Sequence, residues 1–290
     1  MKYFHYFDKK KGPTNKENLR KKFKNFVLEL KVRGFSEKSI DSYLYYNGKF
    51  LEFIEKEPKR VSSMDIKAYL NYLVLNGSKE RTVNMVINSL KAYYEGFLRK
   101  RLFKNIKRSK IPKNLPFVLS KNEIKIMIDN ARFLKHKLLI ELIYSSGIRV
   151  GEAVKIKIEN INTNEKTIFI KQGKGKKDRF VIASNRFIQN LKRFVSKKSS
   201  GYLFQNSYGK HISIRTAEEI IRLAAKRAGI KKRVYPHLLR ASFATHLLES
   251  EVPIQKVQKL LGHSRLTTTM GYIRTQTNDL KNVRSPLDDI

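Results

Sequence analysis

Four side chains near the C-terminal end of the chain could together perform chemistry on an anionic ester: His237, Arg240, His263 and Tyr272. An arginine is permanently charged and forked to match phosphate or carboxylate oxygens, and a histidine can move a proton near neutral pH. A tyrosine, with a reference pKa of about 10, is ionised in roughly one molecule in a thousand at pH 7. It therefore becomes a useful nucleophile only beside a base and in a positive field.

Two predicted helices would hold these side chains. Pro236 suits the first position of a helix, where its missing N–H is not needed. On that helix His237 and Arg240 are three residues apart, about 60° around the axis, so both can reach one ligand. Gly262 ends the second helix, which places His263 at a chain reversal. Apolar residues at helical spacing give the two helices their buried faces: Leu239, Phe243, Leu247, Leu248, Ile254, Val257, Leu260 and Leu261.

A second group of polar residues lies upstream, beside elements whose ends the sequence marks clearly. Ser120 begins a capping box with Glu123, and the helix predicted over 134–146 is stopped by Gly147. Arg149 follows that turn directly, and Glu152 lies in the next predicted helical turn. The pattern predicts further helices over 187–195 and 216–228.

A β-hairpin is predicted between these helical segments. The runs 167–171 and 179–183 are rich in β-forming residues and bracket Gly173-Lys174-Gly175. Lys174 is therefore expected near the tip of the hairpin.

In chain order these motifs resemble the signature of the tyrosine recombinases, the phage integrase family, and in particular its Xer-like members. Residues 146–153, Ser-Gly-Ile-Arg-Val-Gly-Glu-Ala, are similar to the family's Thr-Gly-Leu-Arg-x-x-Glu-Leu context. Lys174 matches a lysine in a Gly-Lys-Gly turn. His237-Leu-Leu-Arg240, Leu261-Gly262-His263 and Tyr272 match the family's His-x-x-Arg, Leu-Gly-His and nucleophile. Each motif alone is common, and their ordered coincidence carries the resemblance. Ala241 stands where many relatives have a second histidine.

The resemblance implies a role for each matched residue. Tyr272 would attack a DNA phosphodiester and form a 3′-phosphotyrosyl intermediate. Arg149 and Arg240 would clamp the non-bridging oxygens, on which negative charge builds up, and His263 would donate a further hydrogen bond there. His237 would move a proton at the attacking oxygen.

Two further roles, and the absence of a cofactor, complete this assignment. The resemblance implies that Lys174 protonates the departing 5′ oxygen. Glu152 is predicted to be a partner of nearby cations that could orient a catalytic residue. We expect no cofactor and no metal, because the arginines would do the work of a metal ion. A zinc site formed by His237, His246 and His263 is not expected, because nine residues turn His237 and His246 to opposite faces of one helix, about 180° apart.

Composition indicates the class of partner. The 290 residues carry 62 Lys and Arg against 25 Asp and Glu, a formal net charge of +37. So basic a chain repels itself unless a polyanion compensates, which favours nucleic acid over an anionic membrane surface. No apolar run is long enough to span a membrane, the N-terminus lacks a signal-peptide core, and there are no cysteines. We expect a cytoplasmic, DNA-binding protein.

The predicted fold class is mainly α with a small antiparallel sheet, in two domains. Residues 15–107 contain four helical patterns, which the resemblance identifies as a SAM-like core-binding domain, after a lead-in over 1–14. Residues 108–117 are the expected linker and 118–275 the expected catalytic domain. The tail over 276–290 resembles one that is exchanged between protomers.

The segment from Phe97 to Lys113 is strongly basic and contains no acid. Two interpretations stay open: a solvated helix end that runs into the linker, or a segment that tracks DNA phosphates. The DNA-contact candidates are the basic residues of this segment and of the hairpin: Arg99, Lys100, Arg101, Lys104, Lys107, Arg108, Lys176, Lys177 and Arg179.

The resemblance therefore implies a site-specific recombinase that acts on double-stranded DNA as a homo-oligomer, a tetramer at synapsis. The two-domain length without an added arm-binding domain resembles Xer proteins, which resolve chromosome dimers and can need a second recombinase or a DNA translocase. An integrase or invertase of a mobile element is an alternative. A non-catalytic basic DNA-binding protein is an alternative from another class. A metal-dependent nuclease is disfavoured, because the sequence has no acidic cluster of metal-ligating spacing.

Overall fold

The computed structural model describes residues 16–111, 117–171, 178–196, 199–262 and 269–270. The chain forms two compact units, Met1–Lys113 and Asn114–Ile290. The fold is mainly helical with one small antiparallel sheet, as the sequence predicts. In the described parts, no helix is both long and apolar enough to cross a membrane.

In the described part of the first unit, all the regular elements are helices. Its helices are α1 Lys16–Lys22, α2 Lys24–Val32, α3 Glu37–Ile54, α4 Ser63–Leu75 and α5 Glu80–Lys91, and a π-helical turn at Ala92–Phe97 extends α5. They enclose a core of fully buried side chains, which includes Phe26, Leu30, Ile40, Leu44, Phe50, Ile66, Leu90 and Tyr94.

Two helix starts differ from the prediction. The apolar stripe Leu19, Phe23, Phe26, Val27 and Leu30 predicts one continuous helix. The structure divides that helix at Phe23, whose backbone leaves the helical region (φ −108°, ψ 28°) and whose ring packs edge-on against Tyr93 at 5.2 Å.

The sequence also predicts that Ser78, which follows Asn76-Gly77, opens the fourth helix. It does not open α5: its N–H donates to the carbonyl of Leu73 at 2.9 Å and so closes the preceding helix instead. Ser36 is predicted from its type and place to cap the helix that follows Gly34. This is confirmed, since its Oγ accepts from Ser39 N at 3.2 Å.

The second unit contains seven described helices and the sheet. The helices are α6 Lys121–Asp129, α7 Leu134–Ser146, α8 Val150–Ala153, α9 Asn185–Val195, α10 Ile214–Arg227, α11 Pro236–Glu249 and α12 Ile254–Leu261. Helix α7 supplies the middle of the core, with Leu138, Leu139, Ile140, Leu142 and Ile143 fully buried. It packs against α9 and α11. The predicted capping box of α6 is confirmed, with Ser120 N donating to Glu123 Oε2 at 2.7 Å and Glu123 N to Ser120 Oγ at 3.1 Å.

The sheet has three antiparallel strands in the order β1 Ile161–Asn162, β2 Thr167–Ile170 and β3 Arg179–Ile182. In the β2–β3 pair, Ile168 lies opposite Val181 on the buried face, and Ile170 lies opposite Arg179. Arg179 is thus the first residue of β3 and lies beside the last residue of β2, at the end of the strands where the hairpin connection begins. The tip of the predicted hairpin lies outside the described residues.

Close packing fixes the turn after α7 against α11. Gly147 ends α7 with φ +63°, a backbone conformation that side chains rarely adopt. A Cβ on Gly147 would lie 2.3 Å from Cδ1 of Phe243 on α11, so only glycine fits. The turn is therefore held in a fixed position against α11, and so is the start of the chain that follows it.

Candidate active site

Arg149 lies immediately before α8, two residues after this turn, and its side chain is 27% exposed. Its backbone N–H donates to Oε2 of Glu152 at 2.9 Å, and its Nη1 donates to Oε1 at 3.2 Å. Its Nη2 contacts the carbonyl of Gly262 at 3.5 Å. The guanidinium is therefore held on one side while part of it remains open to solvent.

Arg240 lies on α11 and is 1% exposed. Its Nη1 donates to the carbonyl of Gly147 at 2.5 Å, and its Nη2 donates to that of Leu261 at 2.6 Å. These carbonyls are at the C-terminal ends of α7 and α12, where helix carbonyls lack intrahelical partners and carry partial negative charge. Arg240 thus joins two helix ends, one leading to Arg149 and the other to His263.

His237 lies nearly one turn before Arg240 on α11 and is exposed. Partial desolvation lowers its pKa below the ordinary value, and the positive charges of Arg240 and Arg149 lower the pKa further. The imidazole is therefore neutral at physiological pH and able to accept a proton.

Glu152 connects two arginines. Its side chain is 11% exposed, and burial by itself would raise its pKa. The hydrogen bonds from Arg179 and from the Arg149 backbone, together with both positive charges, outweigh burial and lower the pKa of Glu152 to about 2. Glu152 is accordingly a carboxylate at all physiological pH values.

Arg179 is the main partner of this carboxylate. Its Nη1 donates to Oε1 of Glu152 at 3.1 Å and its Nη2 to Oε2 at 2.7 Å. Its Nε donates to the carbonyl of Leu260 at 3.2 Å, and the side chain is 12% exposed. Arg179 was a DNA-contact candidate, but in this structure its guanidinium is engaged inside the protein.

The described site therefore brings together α8, α11, β3 and the end of α12. Arg149, Arg179 and Arg240 against Glu152 give three positive charges and one negative charge, a net +2. Such a cluster can hold a dianion or an ester phosphate. The predicted end of α12 at Gly262 is confirmed, with φ +61°. Lys174, Lys176, Lys177, His263 and Tyr272 lie outside the described residues, and their predicted roles stay predictions.

His246 lies apart from this cluster, as the helical spacing predicts. It is buried, and its Nδ1 is 2.8 Å from the hydroxyl of Tyr144, so it is a structural histidine of the α7–α11 packing. In the described ranges, no group of three or more His, Asp or Glu side chains could hold a metal ion.

The basic segment after α5 is ordered against the first unit in its described part. Lys100 Nζ donates to the carbonyls of Lys59 and Val61 at 2.6 and 2.8 Å. Arg108 donates to Asn88 Oδ1 at 2.7 Å. Asn84 and Ser109 exchange two hydrogen bonds, at 2.9 and 3.0 Å. This segment is thus fixed by its backbone, by Lys100 and by the hydrogen bond of Arg108, while the basic candidates other than Lys100 are exposed: Arg99, Arg101, Lys104, Lys107 and Arg108.

Comparisons with known proteins agree over both units. The chain matches the model of the phage integrase family over residues 118–279, and that of a phage integrase N-terminal SAM-like domain over 23–103. It is 34% identical over 261 residues to the tyrosine recombinase XerA of Pyrococcus horikoshii, which covers 88% of this chain and 90% of that protein.

Two solved structures are also similar. A crystal structure of XerA recombinase is 28% identical, with a TM-score of 0.55 over 92% of this chain and 100% of that one. A structure of the XerH site-specific recombinase bound to palindromic difH substrate, a post-cleavage complex, has a TM-score of 0.73 at 23% identity. It covers 95% of this chain and 86% of that one, and this likeness concerns the fold.

Proposed function

The chain belongs to the phage integrase family of site-specific DNA recombinases, and we propose that it cuts and rejoins double-stranded DNA through Tyr272. In the first step the Tyr272 oxygen attacks the scissile phosphorus, its proton passes to His237, and the bond to the 5′ oxygen breaks. Lys174 protonates that oxygen as it leaves. A 5′-hydroxyl of the partner duplex then attacks the 3′-phosphotyrosyl bond and releases the tyrosine, so the number of phosphodiesters is unchanged.

The observation that carries this proposal is the cluster of Arg149, Arg240 and Glu152 beside a histidine of lowered pKa. Two guanidiniums suit the extra negative charge of a phosphorane-like transition state, and a neutral His237 suits the removal of a proton from the nucleophile. Arg149 is the more accessible of the two arginines. Because Arg240 is 1% exposed, its contact with phosphate requires the site to open as DNA enters.

The assembly that we propose follows relatives of this family. Four protomers bind two copies of one recombination site and exchange strands in pairs through a Holliday junction, with residues 276–290 packed on a neighbouring protomer. The exposed basic residues of the segment after α5 contact the DNA backbone. No metal ion or cofactor takes part, and the protein acts in the cytoplasm.

The biological role that we propose is Xer-type resolution of chromosome dimers. The 34% identity to a XerA protein over 88% of this chain supports it, and such a role can involve a second recombinase or a DNA translocase. An integrase or invertase of a mobile element is the alternative within the family. The two differ in their sites, since a resolvase would act at a site on the chromosome and an integrase at the ends of a mobile element.

The test is recombination on a supercoiled plasmid that carries two direct copies of a duplex selected by its binding to the protein. Without ATP and with EDTA, the wild-type protein should convert the plasmid into two smaller circles, and Tyr272→Phe should bind the DNA equally well but yield none. Binding by the wild-type protein without any product would favour the non-catalytic DNA-binding alternative. A product made by both proteins would contradict the assignment of Tyr272.

A further inference from the structure

Three consecutive carbonyls at the end of α12 accept hydrogen bonds from three different arginines. Leu260 accepts from Arg179 Nε at 3.2 Å, Leu261 from Arg240 Nη2 at 2.6 Å, and Gly262 from Arg149 Nη2 at 3.5 Å. The last carbonyls of a helix carry partial negative charge, so cations gather there. Of the three arginines, Arg240 and Arg149 have proposed roles at the phosphate, whereas Arg179 has none.

Arg179 and Arg149 share the carboxylate of Glu152 unequally. Arg179 makes two side-chain hydrogen bonds to it, one to each oxygen, at 3.1 and 2.7 Å. Arg149 makes one side-chain hydrogen bond, at 3.2 Å. A guanidinium that bonds both oxygens of a carboxylate forms the stronger and geometrically better-defined pair. Arg179 is therefore the principal countercharge of Glu152.

The removal of Arg179 would leave Glu152 with too little countercharge. A buried carboxylate without its partner is strongly destabilised, and Arg149 is the other guanidinium already in contact with it. Glu152 would then draw Arg149 into a two-oxygen pair. That pairing would turn Arg149 away from the phosphate and neutralise its charge.

The aliphatic part of Arg179 is also confined. A Cβ on Gly262 would lie 3.0 Å from Cδ of Arg179, so the arginine stem lies directly against the glycine that ends α12. Together with the bond from Nε to Leu260, this contact ties the start of β3 to the end of α12. Arg179 is thus held from two sides, as a side chain with a fixed position would be.

We propose that Arg179 is a positioning residue for DNA cleavage: it neutralises Glu152 and thereby keeps Arg149 available for the scissile phosphate. This inference rests on the proposed function, in which Arg149 binds that phosphate. It differs from a direct DNA contact, which would require Arg179 to leave Glu152.

The test measures single-turnover formation of the covalent protein–DNA adduct on a nicked duplex, at saturating protein, for the intact chain. Arg179→Met keeps much of the aliphatic stem and removes the charge. We expect its adduct to form on the order of 100-fold more slowly, the effect of misplacing a reacting group by about 1 Å. The affinity for the duplex and its dependence on salt should stay close to wild type.

The decisive comparison adds Glu152→Gln to Arg179→Met. Without the negative charge of Glu152, Arg149 is no longer drawn strongly away from the phosphate, so the double variant should cleave faster than Arg179→Met alone. A merely structural role for Arg179 predicts that Glu152→Gln restores the melting temperature but does not change the cleavage rate of the folded protein. If Arg179→Met does not fold, the equally uncharged Arg179→Gln replaces it, with and without Glu152→Gln, and the same rescue is expected.

Arg186→Met is the matched control. Arg186 on α9 bonds the buried Glu141 through Nε at 2.9 Å and Asp129 through Nη2 at 2.6 Å, so its loss also deprives a buried carboxylate of an arginine. We expect this variant to lower the melting temperature and to leave the cleavage rate of the folded protein unchanged.

Three outcomes would overturn the inference while the proposed function stands: wild-type cleavage by folded Arg179→Met, no rescue by Glu152→Gln, or a weaker affinity with a smaller salt dependence, which would indicate a DNA contact. Absence of the adduct from the wild-type protein on a bound duplex would instead refute the proposed function, and the inference with it.

Discussion

Gly147→Ala tests how the turn before Arg149 is held. Gly147 has φ +63°, and a Cβ there would lie 2.3 Å from Cδ1 and 2.5 Å from Cε1 of Phe243. Phe243 is buried on α11, the helix that carries His237 and Arg240. The substitution therefore combines an unfavourable backbone conformation with a clash that the core has to absorb.

Both contributions can be put in numbers. An L-residue in the left-handed region costs about 1–2 kcal/mol, and an additional carbon forced into a packed core costs about 1–3 kcal/mol more. The expected loss is thus about 2–5 kcal/mol, or about 4–20 °C in melting temperature for a domain of this size.

The matched control is Gly229→Ala. Gly229 also follows a helix of the second unit and has φ +68°, but nothing lies within 4 Å of its Cβ position. It should lose only the backbone contribution, about 1–2 kcal/mol. Thermal unfolding of the intact protein, followed calorimetrically at the transition of the second unit, measures both variants. Equal losses for the two variants would refute the close packing of Gly147 on Phe243.

Three further predictions concern charge. The pKa of Glu152 is lowered from 4.5 to about 2, so its stabilising contribution, about 3 kcal/mol, is complete above about pH 4.5 and is lost as the pH falls towards 2. The free energy of unfolding of wild type, measured with urea, should therefore fall more steeply below about pH 4.5 than that of Glu152→Gln. Parallel pH dependences of the two proteins would contradict this. Lys100→Met should lower the melting temperature of the first unit, because two carbonyls lose their ammonium donor. Lys104→Met should leave that melting temperature unchanged and reduce the salt dependence of DNA binding by about one phosphate contact. An equal loss of stability in both variants would contradict the structural role of Lys100. Sulfate should raise the melting temperature of wild type more than that of Arg149→Gln, because an anion that binds only the folded site stabilises it; equal protection would argue against an anion site at Arg149.

Helix ends are the part of the fold that the sequence predicted best, because their signals are local. The capping box at Ser120, the stop at Gly147, the start at Pro236 and the stop at Gly262 each depend on one to four neighbouring residues. Strand β1 was not predicted, because two residues are too short to show a period. The break at Phe23 was missed for a different reason: the apolar stripe runs straight through it, and no Gly or Pro marks it in the sequence.

The residue types of the site were predictable, but their partners were not. The Arg149–Glu152 contact follows from their three-residue spacing at the start of a helix. The Glu152–Arg179 pair and the two carbonyls bound by Arg240 join segments that are far apart in the sequence. The sequence signal for Arg179 was its place in a basic hairpin, and that signal does not distinguish a contact with DNA from a salt bridge inside the protein. Similarly, composition could not show that the ammonium group of Lys100 caps a turn.

The most direct test of the central claim is covalent trapping on a nicked duplex in the presence of EDTA. The duplex is selected by binding and nicked beside the scissile phosphate, so that the short released fragment, which carries the new 5′-hydroxyl, diffuses away and the intermediate accumulates. Wild type and Tyr272→Phe are compared on a denaturing protein gel with DNA labelled on the 3′-phosphate side of the break. The account predicts a labelled protein band for wild type, none for Tyr272→Phe, and a DNA adduct on the Tyr272 peptide. A duplex that is bound and correctly nicked but gives no band with wild type, or the same band with Tyr272→Phe, would contradict it.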